Sequence, residues 1–281
     1  MHVLGIIDDG ATGDRIDRVV DELVEHLSLS GRVGVVRYDA TIADGITDVR
    51  DATVTPGGEV TYALGADGDW TATGTDLTVT DALNALAPTC AYAIVTGIDR
   101  HQSAHPAIVV GSTEAPETDG EHILAAVEQA RDLDVAAVQR ALEATDPYET
   151  LESLVAQIKR RETADRAGAI ATFTGRVRAK DSDNDVRTEL LEFEKYEGVA
   201  EQRMAALQAD LEARDGVFGV ELYHRTGVIA DGEDIVHVVV LAGHREEAFR
   251  TVEDGINRLK DEVPLFKKEV TVEETFWVHE R

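Results

Sequence analysis

Three lysines lie close together near the end of the chain, in the stretch "NRLKDEVPLFKKE" of residues 257–269: Lys260, Lys267 and Lys268. The whole chain has only six lysines, and none occurs among the first 158 residues. A surface lysine often covers apolar groups with its stem while the ammonium stays in water, which is the alternative to a functional site. That alternative weakens in this chain, because Asp and Glu fill most of its surface positions.

The lysines are placed by a helix and a strand that the sequence predicts. A helix over residues 245–262 has an apolar stripe, and Pro264 ends it; the stripe comprises Phe249, Val252, Ile256, Leu259 and Val263. Lys260 borders that stripe. On the strand "FKKEVTV" that follows, alternation sends Lys267 and Lys268 to opposite faces. Lys260 and Lys267 are therefore expected to converge on one pocket.

Other basic residues follow predicted strands, where site residues are common. They are Arg178 after "FTGRV", His244 and Arg245 after "VVVLAG", and Arg281 after "WVHE". Together with the lysines they predict a pocket for a small anionic substrate. Neither histidines nor the single cysteine, Cys90, supply a convincing set of metal ligands, so no metal is expected.

The charge of the whole chain limits its partners. Its 281 residues carry 27 Lys plus Arg against 55 Asp plus Glu, a formal net charge of −28. Such a surface repels polyanions, so neither nucleic acid nor an anionic membrane is an expected partner. Arginine outnumbers lysine 21 to 6, which is typical of adaptation to high salt. With no N-terminal signal and no apolar run of membrane-spanning length, we expect a cytoplasmic protein.

The pattern of elements predicts an α/β protein of two domains, residues 1–146 and 147–281. In the first, a strand, a Gly-containing loop, a helix and the strand "GRVGVVRYD" suggest a parallel sheet. Hairpins are expected over 53–80, buried strands at "AYAIVTG" and "AIVVGS", and helices over 121–143 and 149–162. In the second domain, strands and two long helices alternate in an α+β pattern.

The first loop, "DDGATGDR", lies where a phosphate-binding P-loop would lie. The P-loop motif G-x-x-x-x-G-K-[ST] needs a lysine and then a hydroxyl after its last glycine. Here Gly13 is followed by Asp14 and Arg15, and further carboxylates stand at Asp8 and Asp9. The region 1–112 nevertheless resembles the MobB family of GTP-binding accessory proteins, through "VLGI", the loop position, "GRVGVVRYD" and "AIVTG" followed by "HPAIVV". We interpret it as a degenerate, non-hydrolysing member.

The second domain resembles the MoaE family, the catalytic large subunit of molybdopterin synthase. Five motifs match in order: "ATFTGRVR", "LEFEKYEGVAE", "HRTGVIADGEDIV", "AGHREEAF" and "LKDEVPLFKKE". The resemblance implies an α/β hammerhead fold, a homodimer, and a heterotetramer with a ubiquitin-like sulfur carrier, the MoaD-type small subunit. The carrier's C-terminal thiocarboxylate would give sulfur to cyclic pyranopterin monophosphate, with no metal or redox cofactor required.

The same resemblance assigns roles to individual residues. Lys260 and Lys267 match the catalytic positions, and Arg178 matches a substrate-binding position. His244 and Arg245 match a pair that reaches the site, from the same or the neighbouring subunit, and Arg281 matches a basic residue after Trp-Val. One departure is Phe266, where many relatives have Trp.

Two other functions remain open at this level. One is a docking protein whose C-terminal domain holds sulfur carriers while the N-terminal domain recruits other cofactor-assembly proteins. The intact set of basic residues favours an enzyme over this alternative. The other is a GTP-driven delivery protein, which Asp14 and the missing lysine oppose.

Overall fold

The computed structural model describes residues 1–38, 60–97, 105–112, 123–180, 182–196, 198–272 and 275–278. The chain divides into two compact units, unit 1 comprising Met1–Tyr148 and unit 2 comprising Glu149–Arg281. Among the described helices, none combines the length and the apolar character that crossing a bilayer requires.

Unit 1 is built on a parallel sheet. Its elements, in chain order, are β1 His2–Asp8, α1 Gly13–Leu27, β2 Val33–Arg37, β3 Val60–Leu64, β4 Trp70–Gly74, α2 Val79–Leu86, β5 Tyr92–Thr96, β6 Ala107–Val110, β7 Ile123–Val127 and α3 Val135–Glu143. Five parallel strands form the order β2-β5-β1-β6-β7, and β3 and β4 form a separate antiparallel hairpin. Central strands β1, β5 and β6 are almost wholly buried, as a parallel sheet covered on both faces requires. The predicted α/β class is confirmed.

The helix predicted over 121–143 is wrong in its first part. Residues Ile123–Val127 are instead strand β7, which pairs with β6 at the edge of the sheet. A short apolar run has no periodicity that separates a strand from a buried helix, so only pairing with β6 decides the outcome. The helix begins at Val135, where the Asp134 side chain accepts a hydrogen bond from the Ala137 N–H at 2.9 Å. Of the predicted hairpins, residues 53–59 lie outside the described residues.

Unit 2 combines antiparallel sheets with helices. Its elements are α4 Leu151–Lys159, β8 Ala169–Arg176, β9 Thr188–Lys195, α5 Val199–Glu212, β10 Val217–His224, β11 Gly227–Ala230, β12 Asp234–Ala242, α6 Arg245–Glu262, β13 Leu265–Thr271 and β14 Thr275–Val278. One sheet has the order β10-β12-β8 and the other the order β11-β9-β13-β14. Strand β12 is buried along nearly its whole length and forms the centre of the core.

Helix α6 packs its small and aliphatic residues on this core. Ile256 and Leu259 are buried, and Gly255 lets the helix approach β12, since a Cβ there would lie 3.1 Å from Val238 Cγ1. One member of the predicted stripe is misplaced: Phe249 is 65% exposed. Its place is taken by Ala248, which is buried one residue earlier. The face that contacts the sheet is therefore narrower than the run of large apolar residues suggests.

Candidate functional site

A cavity of about 770 Å³ opens in unit 2 where the two sheets meet helix α6. Three of the predicted site residues, Arg178, Lys260 and Lys267, line it. They come from three separate parts of the fold: the segment after β8, the last turn of α6, and strand β13. The structure thus brings together cationic side chains that are far apart in sequence.

The pairing of β13 explains why Lys267 and Lys268 differ. Lys267 lies opposite Phe193 of β9, and both residues line the cavity. Lys268 lies opposite Glu192 on the other face, where its Nζ is 2.8 Å from Glu192 Oε2. The same ammonium is 5.9 Å from the ring centroid of Trp277 on β14, within the range of a cation–π contact. The charge of Lys268 is therefore paired with Glu192, which does not line the cavity, whereas the ring of Trp277 does.

Lys260 reaches the cavity from the C-terminal turn of α6. A cation at that end of a helix interacts favourably with the helix dipole. Within the described part of the chain, Lys260 forms no ion pair, in contrast to Lys268 and to Lys195, whose Nζ is 2.7 Å from Glu201 Oε1. Its ammonium therefore remains available to an anion that enters the cavity.

The remaining wall is more aromatic and more acidic than the sequence had suggested. Phe173, Phe193 and His224 line the cavity together with the carboxylates Asp185 and Glu269. Glu269 accepts a hydrogen bond from the hydroxyl of Thr188, a buried residue. Strand alternation offered a signal for Glu269, because it shares the Lys267 face of β13.

His224 is a second residue that sequence reasoning missed. It is the last residue of β10, and a position at the end of a strand was the available signal. Its ring stands edge-on to Phe193, with ring centroids 4.8 Å apart. Burial lowers the pKa of His224 to about 4, although a hydrogen bond to the Arg225 carbonyl opposes the shift. The imidazole is therefore neutral at physiological pH.

The other predicted site residues do not line this cavity. His244 is the N-cap of α6, Arg245 is its first residue, and both are exposed. At a rise of about 1.5 Å per residue, the helix places Arg245 roughly 22 Å from Lys260. The two ends of α6 therefore cannot contribute to one site within a single chain. Arg281 lies outside the described residues.

The loop of unit 1 that follows β1 has an acidic character. The Asp8 carboxylate accepts a hydrogen bond from the Ala11 N–H at 2.7 Å, so one loop donor is already used within the loop. Gly111, with φ +112°, packs against the loop, where a Cβ would lie 2.5 Å from the Asp9 carbonyl oxygen. Across the described residues of both units, no cluster of three or more His, Cys, Asp or Glu is arranged to hold a metal ion.

Comparison with known proteins separates the two parts of the chain. The family described as MoaE protein matches residues 143–262. The molybdopterin synthase catalytic subunit of Bacillus subtilis is 36% identical over 127 residues, covering 45% of this chain and 77% of that protein. The solved structure of a MobB protein homolog from Bacillus stearothermophilus covers 52% of this chain and 100% of that chain, with 16% identity and a TM-score of 0.36. A TM-score this low supports no inference about the activity of unit 1.

One relative matches from end to end. A protein of Haloferax volcanii named probable molybdopterin synthase is 46% identical over 281 residues, which is 100% of both chains. The two-part organisation is thus shared with a relative of the same length. The matches to the catalytic subunit associate this chain with molybdopterin formation, a step in molybdenum cofactor biosynthesis. The chain therefore belongs to the molybdopterin synthase family, with its MoaE region in the C-terminal half.

Proposed function

We propose that this protein is a sulfurtransferase that makes the dithiolene of molybdopterin. Sulfur would come from the C-terminal thiocarboxylate of a ubiquitin-like carrier of the MoaD type, and cyclic pyranopterin monophosphate would accept it. The observation that carries the proposal is the convergence of Arg178, Lys260 and Lys267 on one cavity of a protein whose net charge is −28. Cations gathered in this way favour a small anionic substrate over a macromolecular polyanion.

The three cations would divide the work by their geometry. Arg178 presents a planar fork of donors that matches two phosphate oxygens at once, so it suits the cyclic phosphate. Lys267 lies beside Phe193 on the wall and would help orient the same ligand. Lys260, without an ion-pair partner among the described residues, would stabilise the negative charge that develops on oxygen and sulfur during transfer. Such stabilisation is strongest where the donor is held in place before the reaction.

The distance along α6 supports a homodimer as the working form. His244 and Arg245 can act at a cavity only if it belongs to another copy, because roughly 22 Å separates them from Lys260 of their own chain. Each of the two cavities would then receive one carrier tail, giving a heterotetramer. We propose that residues 147–281 form this catalytic domain, and that residues 1–146 form a domain that does not hydrolyse nucleotide.

The test is reconstitution with defined components. The purified full chain is incubated at high salt with thiocarboxylated carrier and cyclic pyranopterin monophosphate, and the dithiolene product is measured. Lys260→Ala serves as the inactive comparison, and Lys180→Ala is a matched control, because Lys180 is an exposed residue that does not line the cavity. Absence of product with the unaltered chain under conditions where carrier and substrate are intact would rule the proposal out.

A further inference from the structure

His224 has a fixed orientation in the cavity wall. Its Nδ1 lies 2.6 Å from the Arg225 carbonyl oxygen. A carbonyl oxygen can only accept, so Nδ1 must carry the proton. In the neutral ring the other nitrogen, Nε2, then has no proton and is a hydrogen-bond acceptor. The edge-on contact with Phe193 restricts rotation of the ring and holds this orientation.

The Nε2 atom has no hydrogen-bond partner among the described residues. Six of the side chains that line the cavity with His224 are charged. Four are cations that only donate, from β8, the segment after it, α6 and β13: Arg176, Arg178, Lys260 and Lys267. Two are acids from the segment before β9 and from β13: Asp185 and Glu269. Glu269 already accepts from Thr188.

In this cavity the neutral Nε2 of His224 can accept a hydrogen bond in a way that a carboxylate cannot. A carboxylate would repel an anionic ligand, and a further ammonium or guanidinium has no lone pair to offer. The Nε2 of a neutral imidazole accepts an O–H or N–H without adding negative charge. Burial of the ring, which keeps it uncharged at physiological pH, preserves this property beside four cations.

We propose that His224 is a specificity-determining residue, whose Nε2 accepts a hydrogen bond from a hydroxyl or ring N–H of the ligand that the lysines hold by its anionic group. The inference rests on the proposed function and deepens it. The cavity would select a ligand that has both a phosphate and a neutral hydrogen-bond donor, as a pterin phosphate does. Inorganic phosphate would satisfy only the cations.

The test compares two ligands and two variants of the full chain. His224→Asn keeps a donor near Nδ1 for the Arg225 carbonyl but removes the acceptor at Nε2. His224→Gln places an amide oxygen near the position of Nε2. Calorimetry measures binding of cyclic pyranopterin monophosphate and of inorganic phosphate, with melting temperature as the folding control.

We expect His224→Asn to weaken binding of the pterin phosphate by about tenfold, the loss expected for one hydrogen bond in a partly dry site. Binding of inorganic phosphate should stay within about twofold, and His224→Gln should recover part of the loss. Lys260→Ala should weaken the binding of both ligands. An equal loss for both ligands in His224→Asn, no loss for either, or failure of the unaltered chain to bind the pterin phosphate would each overturn the inference.

A second measurement is independent of turnover. Nitrogen-15 NMR of labelled histidine, with His224→Gln to assign the signal, should show the tautomer protonated at Nδ1, with a shift of Nε2 when the pterin phosphate binds. A signal from the Nε2-protonated tautomer would contradict the inference. If the pterin phosphate binds and shifts Nε2 but no dithiolene forms with a thiocarboxylated carrier, the proposed sulfur transfer fails while the role of His224 in recognition stands.

Discussion

Units 1 and 2 carry opposite charges at the two positions where the sequence suggested an anion-binding site. In unit 1, Asp8 lies at the end of β1, and Asp14 lies in the first turn of α1. In unit 2, Arg178, Lys260 and Lys267 meet in one cavity. Because unit 1 contains no lysine, the contrast is set by where the chain uses its few ammonium groups. In a protein of net charge −28, such a cluster is a better guide to a site than a loop in a familiar position.

The second difference concerns how the polar groups are already used. The Asp8 carboxylate accepts a hydrogen bond from a backbone N–H of its own loop, that of Ala11. Lys260, in contrast, forms no ion pair within the described residues. A backbone N–H that already donates to a carboxylate is not available to bind a phosphate, whereas an ammonium without an ion pair is available.

Removing the ammonium of Lys260 should have the largest effect. We expect Lys260→Ala to lower the initial rate of dithiolene formation on the order of 10² to 10³-fold, since the group acts on charge that develops in the transition state. The melting temperature should hardly change, because Lys260 is exposed. A rate within twofold of the unaltered chain would remove Lys260 from the chemistry.

The two neighbouring lysines of β13 form a matched pair. We expect Lys267→Ala to weaken turnover by about tenfold, through loss of a charge-assisted hydrogen bond to substrate. Lys268→Ala should change the rate little, because its ammonium pairs with Glu192, which does not line the cavity. Initial rates and Michaelis constants of both variants test this, and equal losses would show that the cavity face of β13 is assigned wrongly.

Unit 2 should become less stable in mild acid. A histidine in the unfolded chain has a pKa of about 6.5, whereas that of His224 in the folded chain is about 4. Between these values the unfolded state binds more protons, so the free energy of unfolding falls as the pH is lowered from about 6.5 toward 4. His224→Gln cannot titrate and should lose part of this dependence. The rest of the pH dependence should come from His237, whose pKa is also lowered by burial.

Melting temperatures at about pH 7 and about pH 5 measure this difference for both proteins. The result of interest is the change between the two pH values within each protein, so a uniform loss of stability in the variant does not affect the comparison. An identical pH dependence in the two proteins would mean that folding does not lower the pKa of His224.

A fragment of residues 147–281 should keep its activity within about twofold of the full chain. All the residues that line the cavity belong to unit 2. The measurement is the initial rate of dithiolene formation, with circular dichroism and light scattering as controls for folding and for the dimer. A folded, dimeric and inactive fragment would show that unit 1 takes part in catalysis.

No effect at all is expected for nucleotides. GTP or ATP with Mg²⁺ should give no measurable heat of binding to the full chain, because Asp14 stands where a P-loop has its lysine. Calorimetry at high salt is the measurement, with cyclic pyranopterin monophosphate as the positive control. Micromolar, Mg²⁺-dependent binding would erase the contrast between the two units.

Much of the fold could be predicted because its signals are local. The sequence predicts helix α6 over residues 245–262 and the helix spans Arg245–Glu262, because its periodicity and the proline that ends it lie within one segment. The run "ILAAV" was not predicted correctly, because only its pairing with β6 makes it a strand. Phe249 was assigned to the apolar stripe by its residue type, yet it is exposed, and the smaller residues Ala248 and Gly255 face the core.

For the candidate site, too, some features follow from local sequence patterns and others do not. The concentration of cations late in the chain can be read from the sequence alone, and so can the opposite faces of Lys267 and Lys268, because alternation along a strand is a local property. The tertiary structure was needed to show that His224, Asp185 and Glu269 share one cavity with the three cations. Those relations depend on the register of β9 against β13 and on the packing of α6 and β10 in the core, which bring together residues that are distant in sequence and which no local pattern contains.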